Sequence, residues 1–591
     1  MNDRKRYNLM LDETTDYKKG LTLILRHIKP YLPKIFLILL FTLFTTILGH
    51  SILQLLIKRA IDVDIANRDR FGLLATTVIY IFLAVLNMTF NYTRLLFAGK
   101  ISQNILFNIR SEVFKKIQDL PSKFFSQNQS GDIIQRLTGN VDGINNLFSE
   151  GLVRFFTTVF TLIVIFVSMW LQNWVLALVA MGCGILMLVV ILIQGKILEK
   201  PISKSLKREG QMSSSVQESL DGFIAIQSGN QQNSWIRKCD LKAKRYYKTS
   251  KKITLIYSLF NSLLAFLTVL IIALILIVSL TLFKANIITL GTVILFLAYT
   301  QDFFRNVVTI SDIWRNVKIG VASSERLADI LELESDIKNF PNPYSPKELK
   351  GDIEFIDVDF GYEKNQKVLS DINFKIDKGQ TIAIVGPTGA GKTTFVNLIA
   401  RLYDVDNGEI LVDGIPIKEW DLHRLRKNIG YLIQDPFLFE DTIINNLRYN
   451  NSSVTEKDAL DMFNFLGVSS FLKSFPNGLE TKITPHGNGM SAGQRQIIAL
   501  ARILLRKPKV LILDEATARI DTKSEKMLQS AIEKATGGKT TFIIAHRLST
   551  IFNADNIVLI KDHTILEKGT HRELLQKKGL YWEMYSRFIG K

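Results

Sequence analysis

Thr381-Ile-Ala-Ile-Val-Gly386-Pro387-Thr388-Gly389-Ala390-Gly391-Lys392-Thr393-Thr394 decides the fold of the C-terminal half. A short β-branched, apolar run enters Gly-x-x-x-x-Gly-Lys-Thr, and a helical pattern, Phe395 to Leu402, follows. That is a phosphate-binding loop in the strand-to-helix context it requires. Glycines let backbone N–H groups wrap phosphates, and the helix N-terminus adds positive potential. Lys392 is placed to reach the β- and γ-phosphates, and the Thr393 hydroxyl to ligate Mg²⁺. A nucleotide and Mg²⁺ are therefore the predicted ligands of this loop.

Around this loop, strand-like runs alternate with helical patterns from residue 351 onward, which predicts a mostly parallel α/β sheet. A second apolar run, Val510-Leu-Ile-Leu-Asp514-Glu515, ends in acids at the edge where such sheets hold ligands. Asp514 is placed to hold Mg²⁺ through water, and Glu515 to polarise a water attacking in line. Alone the pattern is weak; beside the phosphate loop it is strong. Pro341, Pro343 and Pro346 mark Glu332 to Gly351 as an extended joint.

Upstream the character changes. Six apolar stretches occupy Ile35–Ile57, Phe71–Leu96, Val153–Leu171, Val175–Leu198, Leu255–Phe283 and Thr289–Ile310. Each meets or nearly meets the ~20 helical residues that cross a bilayer core of ~30 Å. With 47% hydrophobic and 22% charged residues, the 591-residue chain is not disordered, collagen-like or a coiled coil. Cys183 and Cys239 are too few for a disulfide scaffold. The fold expected is a six-span helical membrane domain joined to an α/β P-loop ATPase domain.

Lys and Arg number 8 in residues 1–34, 6 in 100–150 and 13 in 196–252, against 4, 0 and 1 in 58–70, 172–174 and 284–288. This bias places both termini and the two long loops in the cytoplasm. It also explains the formal charge of +18 through membrane loops and anionic lipid, without a nucleic-acid partner. Gly99 to Asp119 and Ile202 to Lys252 keep helical spacing, so they read as cytoplasmic extensions of the spans. The turns Ser126–Asp132 and Asp221–Gln231 leave room for short helices. Within the spans, Asn87, Asn91 and Arg94 share one helix face, while Gln301, Asp302 and Arg305 cluster on the sixth. Such groups either line a cavity or pair with one another.

A third soluble segment, Gly487-Asn-Gly-Met490-Ser491-Ala492-Gly493-Gln494, lies between the other two. Phosphate loop, Ser-x-Gly-Gln and Asp-Glu strand end, in this order behind six spans, resemble an ABC exporter half-transporter of the bacterial multidrug, P-glycoprotein-like type. The resemblance covers nearly all 591 residues. It implies residues 1–34 as a cytoplasmic segment, 35–331 as membrane domain, 332–350 as linker and 351–591 as nucleotide-binding domain. Tyr362 would stack on adenine. Gln434 would stand near Mg²⁺ and the membrane domain, His546 would meet the γ-phosphate, and Asp521 would belong to the D-loop. Phe124 to Asp132 and Glu218 to Ala225 would be the coupling regions. Each ATP would be held by one chain's phosphate loop and by Ser491, Ala492, Gly493 and Gln494 of the other.

The chain departs from the family pattern. The usual Leu-Ser-Gly-Gly-Gln reads Met490-Ser491-Ala492-Gly493-Gln494, Ile483 to Gly487 lacks the acid common there, and the D-loop reads Ala518-Arg519-Ile520-Asp521. With Lys392, Asp514, Glu515 and His546 intact, this resembles one half of a heterodimeric exporter; drift in a homodimer is the alternative. The function implied is ATP-driven export of hydrophobic or amphiphilic compounds across the plasma membrane of a bacterium. A lipid or peptide exporter and an ATP-gated regulatory or channel protein are the other readings.

Overall fold

The structure, a computed structural model, describes residues 17–128, 130–363, 366–449, 451–472, 475–484, 487, 489–514, 522–545 and 551–589. The chain divides into two compact units. One takes Asp119–Asn128 and everything from Glu334 onward; the other takes the helices before Asp119 and Gln129–Leu333.

Among the described residues, six helices of the second unit are long and apolar enough to cross a membrane, lying within Lys18–Ile65, Arg70–Gln118, Arg154–Gln172, Trp174–Asp221, Gln232–Lys284 and Leu290–Ile310. Arg70–Gln118, Trp174–Asp221, Gln232–Lys284 and Leu290–Glu332 are continuous helices of 49, 48, 53 and 43 residues. At 1.5 Å per residue they run for about 65–80 Å, twice the hydrocarbon thickness. The stretches 99–118 and 202–221 are therefore helix, as their spacing predicts. Short helices follow at Ser122–Gln127 and Phe223–Ser228; the second begins beyond Glu218–Asp221, which still belong to the long helix. Side chains cap the free N–H groups at the starts: Asn173 accepts from Val175 N and Leu176 N, both at 3.1 Å, and Thr289 from Thr292 N.

The first span is not one regular helix. Leu32–Ile47 is α-helical, Leu48–Ile52 is a π-helical turn, and α-helix resumes at Leu53–Arg59. That turn carries polar residues that the apolar average conceals. Its three central residues face three different spans. Gly49 lies against Asn87, His50 Nδ1 is 3.0 Å from Asp302 Oδ2, and Ser51 Oγ accepts from Ser168 Oγ at 3.1 Å. An extra residue in a turn reorients its neighbours, and such turns recur at functional positions.

The first unit holds two sheets where one was expected. A six-stranded sheet runs β10-β9-β3-β8-β7-β6, with β3 (Thr381–Val385), β6 (Ile429–Leu432), β7 (Val510–Asp514), β8 (Thr540–Ile544) and β9 (Asn556–Lys561) parallel and β10 (Thr564–Gly569) antiparallel. A separate antiparallel sheet runs β2-β1-β4-β5, with β1 at Ile353–Phe360, β2 at Leu369–Ile376, β4 at Asn407–Val412 and β5 at Ile415–Pro416. Its strands alternate buried and open residues, as in a sheet with one covered face. In the core between the two, Phe395 stacks on Phe355 and meets Phe542 at a tilt.

The joint is not a free tether. Arg401, 2% exposed, donates to Lys338 O at 3.0 Å, to Trp420 O and to Asp404 Oδ1. Tyr344 pairs with Glu419 and Asp421 through its backbone and packs edge-on against Trp420. Residues 338–344 are thus laced to the end of the phosphate-loop helix.

In the membrane unit, helix Gly139–Asn146 crosses Leu290–Glu332 at close range. A Cβ on Gly320 would stand 2.3 Å from Leu147 Cβ, whereas one on Gly182 meets nothing within 4 Å. Gly320→Ala should therefore cost about 1–3 kcal/mol of stability in detergent, with Gly182→Ala neutral or better; equal thermal midpoints for the two variants would refute the close packing.

Candidate functional site

The phosphate loop takes its shape from glycines at positive φ. Gly386 and Gly391 have φ of +150° and +100°, and a Cβ at Gly386 would fall 2.1 Å from Ile560 O. Helix Lys392–Ile399 starts directly after Gly391, so its first N–H groups point into the loop. Lys392 is 8% exposed, and its Nζ donates to Gly386 O at 2.8 Å and Pro387 O at 2.9 Å. The ammonium thus folds over the mouth of its own loop. Burial lowers its pKa, and the Asp514 carboxylate opposes that shift. Ala390 and Thr394 are buried, while Thr393 is exposed at the helix start.

Asp514 ends β7, which lies beside β8, the neighbour of β3. Tyr431 on β6 donates to Asn397 Oδ1 at 2.9 Å, tying β6 to the phosphate-loop helix. Burial, Asp514 and Tyr362 all push the Tyr431 phenol upward, which places these groups around one another. Tyr362 is half-open, and its hydroxyl lies 3.0 Å from Thr394 Oγ1. Its ring meets Phe360 and Tyr403 edge-on, each at 5.1 Å. The Tyr403 hydroxyl in turn meets Ser126, on the short helix Ser122–Gln127 that belongs to this unit. No motif marks Tyr403; its position after the phosphate-loop helix is the sole clue in the sequence.

Ser491 caps helix Ala492–Leu504. Its Oγ accepts from Gln494 N at 3.2 Å, and Gln494 Oε1 accepts from Ser491 N at 2.8 Å. This reciprocal box leaves the N–H groups of the first turn, at Ala492 and Gly493, pointing outward beside an exposed Ser491. The same helix braces the segment after β6. Gln496 Nε2 donates to Gln434 O at 3.1 Å, and Arg495 bonds Asp435 and Met490 O. Arg502 bonds Asn446 O, Asn446 Oδ1 and Phe437 O, and lies over the Phe439 and Tyr449 rings. Gln434 itself is exposed one residue beyond Ile433. Sequence reading missed Arg495, Gln496 and Arg502 because basic and amide residues on an amphipathic helix look like a solvated face.

Glu515, Asp521 and His546 lie outside the described residues, as do Pro485 and His486. Thr393 and Asp514 supply hard oxygen donors of the kind Mg²⁺ takes, with nucleotide phosphates and water completing the shell. Among the described residues no group of three or more His, Cys, Asp or Glu stands ready as a metal cage.

The intramembrane groups form two separate clusters. Asp302 accepts from Arg305 Nη2 at 2.7 Å and faces His50 on the π-helical turn. The sequence offered the Asp302–Arg305 pair; His50, 252 residues away, escaped it. Gln301 is exposed beside them. Arg94 donates to Asn91 Oδ1 at 2.8 Å and to Thr157 Oγ1 at 2.7 Å, and Asn87 lies two turns along the same helix.

Residues 35–308 match the family model described as ABC transporter transmembrane region, and residues 369–518 the one described as ABC transporter. The chain is 31% identical to the probable multidrug resistance ABC transporter ATP-binding/permease protein of Bacillus subtilis, over 88% of this chain and 77% of that one. It is 32% identical to the ATP-dependent lipid A-core flippase of Desulfotalea psychrophila, over 90% and 93%. Its fold matches a bacterial Atm1-family ABC exporter with ATP bound at a TM-score of 0.81 and 24% identity, covering 95% and 98% of the two chains. Six apolar helices and these relatives make it a multi-pass membrane protein that works with another chain bearing a nucleotide-binding domain. The chain belongs to the ABC transporter family, as an exporter half-transporter that hydrolyses ATP to drive transport.

Proposed function

We propose that this half-transporter exports amphiphilic compounds, taken up from the cytoplasmic side, and that its mate is a different chain. The observation that supports export is the pairing of two half-sites on one ATPase unit: the Lys392 loop and the exposed, capped N-terminus at Ser491. Neither alone surrounds a triphosphate. Closing two such units brings each loop against the opposite Ser491 end, where N–H donors meet the γ-phosphate. Thr393 and Asp514 would hold Mg²⁺, which would supply positive charge to the ATP phosphates. Lys392 releases its own loop carbonyls to hold the β/γ-phosphates. By their motifs, Glu515 is assigned to orient the attacking water and His546 to contact the γ-phosphate. The cargo reading rests on two features: large apolar surfaces with few charges in the spans, and relatives named for multidrug resistance and lipid A. Cytoplasmic termini follow from the Lys/Arg bias.

A different mate is favoured by Ala492 at the signature beside intact Lys392 and Asp514. This chain then supplies the Walker side of the fast site, and its altered signature completes a slower one.

Glu515→Gln in proteoliposomes is expected to retain ATP binding and lower turnover at least ~100-fold, with cargo movement stopping in parallel; continued movement would exclude pumping. In the assembled complex, Ser491→Ala is expected to spare most turnover, and complete loss would point to two identical chains. Tyr403→Phe keeps the ring against Tyr362 but removes the bond to Ser126. ATP affinity should hold while cargo-stimulated turnover falls about fivefold, the worth of one hydrogen bond; Ser126→Ala should reproduce this, and additive effects of the pair would break the link.

A further inference from the structure

Charge inside a bilayer is tolerated where it is matched. In the sixth span, Arg305 is matched by Asp302, which also faces His50. In the second span, Arg94 is not. Its partners are neutral, Thr157 Oγ1 and Asn91 Oδ1, and its Nε has no acceptor. Among the described residues no carboxylate pairs with it. The guanidinium is only half-buried, so part of it stays open.

Its surroundings deepen the imbalance. Arg94 lies near the end of the apolar stretch Phe71–Leu96, and Thr157 near the start of Val153–Leu171. By the charge bias both ends lie at the cytoplasmic border. Arg154, exposed and one helical turn before Thr157 on the same face, adds a second positive charge. Asn91 uses its oxygen on Arg94, so its amide N–H groups remain to donate, and Asn87 carries another such amide on that face. Donors and cations converge there, and among the described residues no acid answers them. An uncompensated, partly desolvated guanidinium is costly, and a bidentate oxyanion is the ligand its fork fits.

We propose that Arg94, flanked by Asn91 and Thr157, holds the anionic head group of an amphiphile at the cytoplasmic border: a carboxylate or a phosphate monoester or diester. This rests on the export reading and names the class of cargo that reading leaves open. The tail lies along the apolar faces of the second and third spans. Two sources share this chemistry, the cargo and an anionic bilayer lipid.

The test uses the assembled transporter in phosphatidylcholine vesicles and three fluorescent dodecyl probes differing only in head: carboxylate, methyl ester and trimethylammonium. The wild-type protein is expected to prefer the carboxylate. Arg94→Gln should raise its half-saturating concentration about tenfold and leave the ester unchanged, while Arg94→Lys keeps most of the preference. Asn91→Asp, which installs a counter-charge one turn away, should abolish the preference with Arg94 present, so a misfolded Arg94→Gln protein does not decide the matter. An unchanged head-group ratio in folded Arg94→Gln and Asn91→Asp protein overturns the proposal, and so does a wild type that moves ester and carboxylate alike. Transport of none of the three probes sinks the amphiphile-export reading instead. Adding phosphatidylglycerol separates the sources. If it competes with the carboxylate through Arg94, cargo and lipid share the site. If it raises basal ATP turnover through Arg94 without touching probe preference, the lipid is the ligand and cargo recognition by Arg94 is overturned.

Discussion

Backbone N–H groups in the first turn of a helix have no partner within that helix, and the ATPase unit is organised around two sets of them. One set follows Gly391 and the other follows Ser491. Both are presented outward, at exposed Thr393 and exposed Ser491. A triphosphate with its metal needs donors on more than one side, and a single helix end gives them on one. The chemistry therefore cannot be completed without closing one chain on another. Dependence on a partner is a property of helix ends here, before any question of which partner.

Closing has consequences because the Ser491 helix is not an isolated finger. Gln496, Arg495 and Arg502 fasten it to residues 434–439, and Arg502 is held by three hydrogen bonds and two aromatic rings. These contacts would pass a displacement at its N-terminus to the segment beyond β6. On the phosphate-loop side, Tyr362 touches Thr394, Tyr403 touches Tyr362, and Ser126 meets Tyr403. Both routes are short and run through hydrogen-bonded side chains, although Gln496 Oε1 is buried without a partner.

The parts legible in the sequence are those whose chemistry is local. The phosphate loop needs glycines and a lysine at fixed spacing, so Gly386 to Thr394 could be read directly. Spans announce themselves by length, and the extensions of Arg70–Gln118 and Trp174–Asp221 by uninterrupted spacing. What escaped depends on partners far along the chain. The π-helical turn at Leu48–Ile52 sits inside an apolar run whose average hides it. His50 finds its partner 252 residues away. The second, antiparallel sheet is invisible because alternating strands around the phosphate loop suggest a single parallel one. Proline-rich residues 338–344 look like a tether until Arg401 and Trp420 are seen to hold them.

The change at residue 492 is best weighed by what it leaves alone. The capping box runs between Ser491 and Gln494, and the side chain of residue 492 takes no part in it. Alanine is a better helix former than glycine, so the helix start is if anything firmer. The N–H donors and the helix dipole remain. What a methyl group alters is distance: it stands at the first helical position, half-exposed, where a phosphate would approach the backbone. An electrostatic interaction lengthened by a methyl group is weakened and still attractive. Such an end holds a nucleotide in place and stabilises its transition state less, since that stabilisation depends on close donors. Such a site would bind and close but turn over slowly, in keeping with the proposed assignment of fast hydrolysis to a Lys392 loop faced by another chain's unmodified signature.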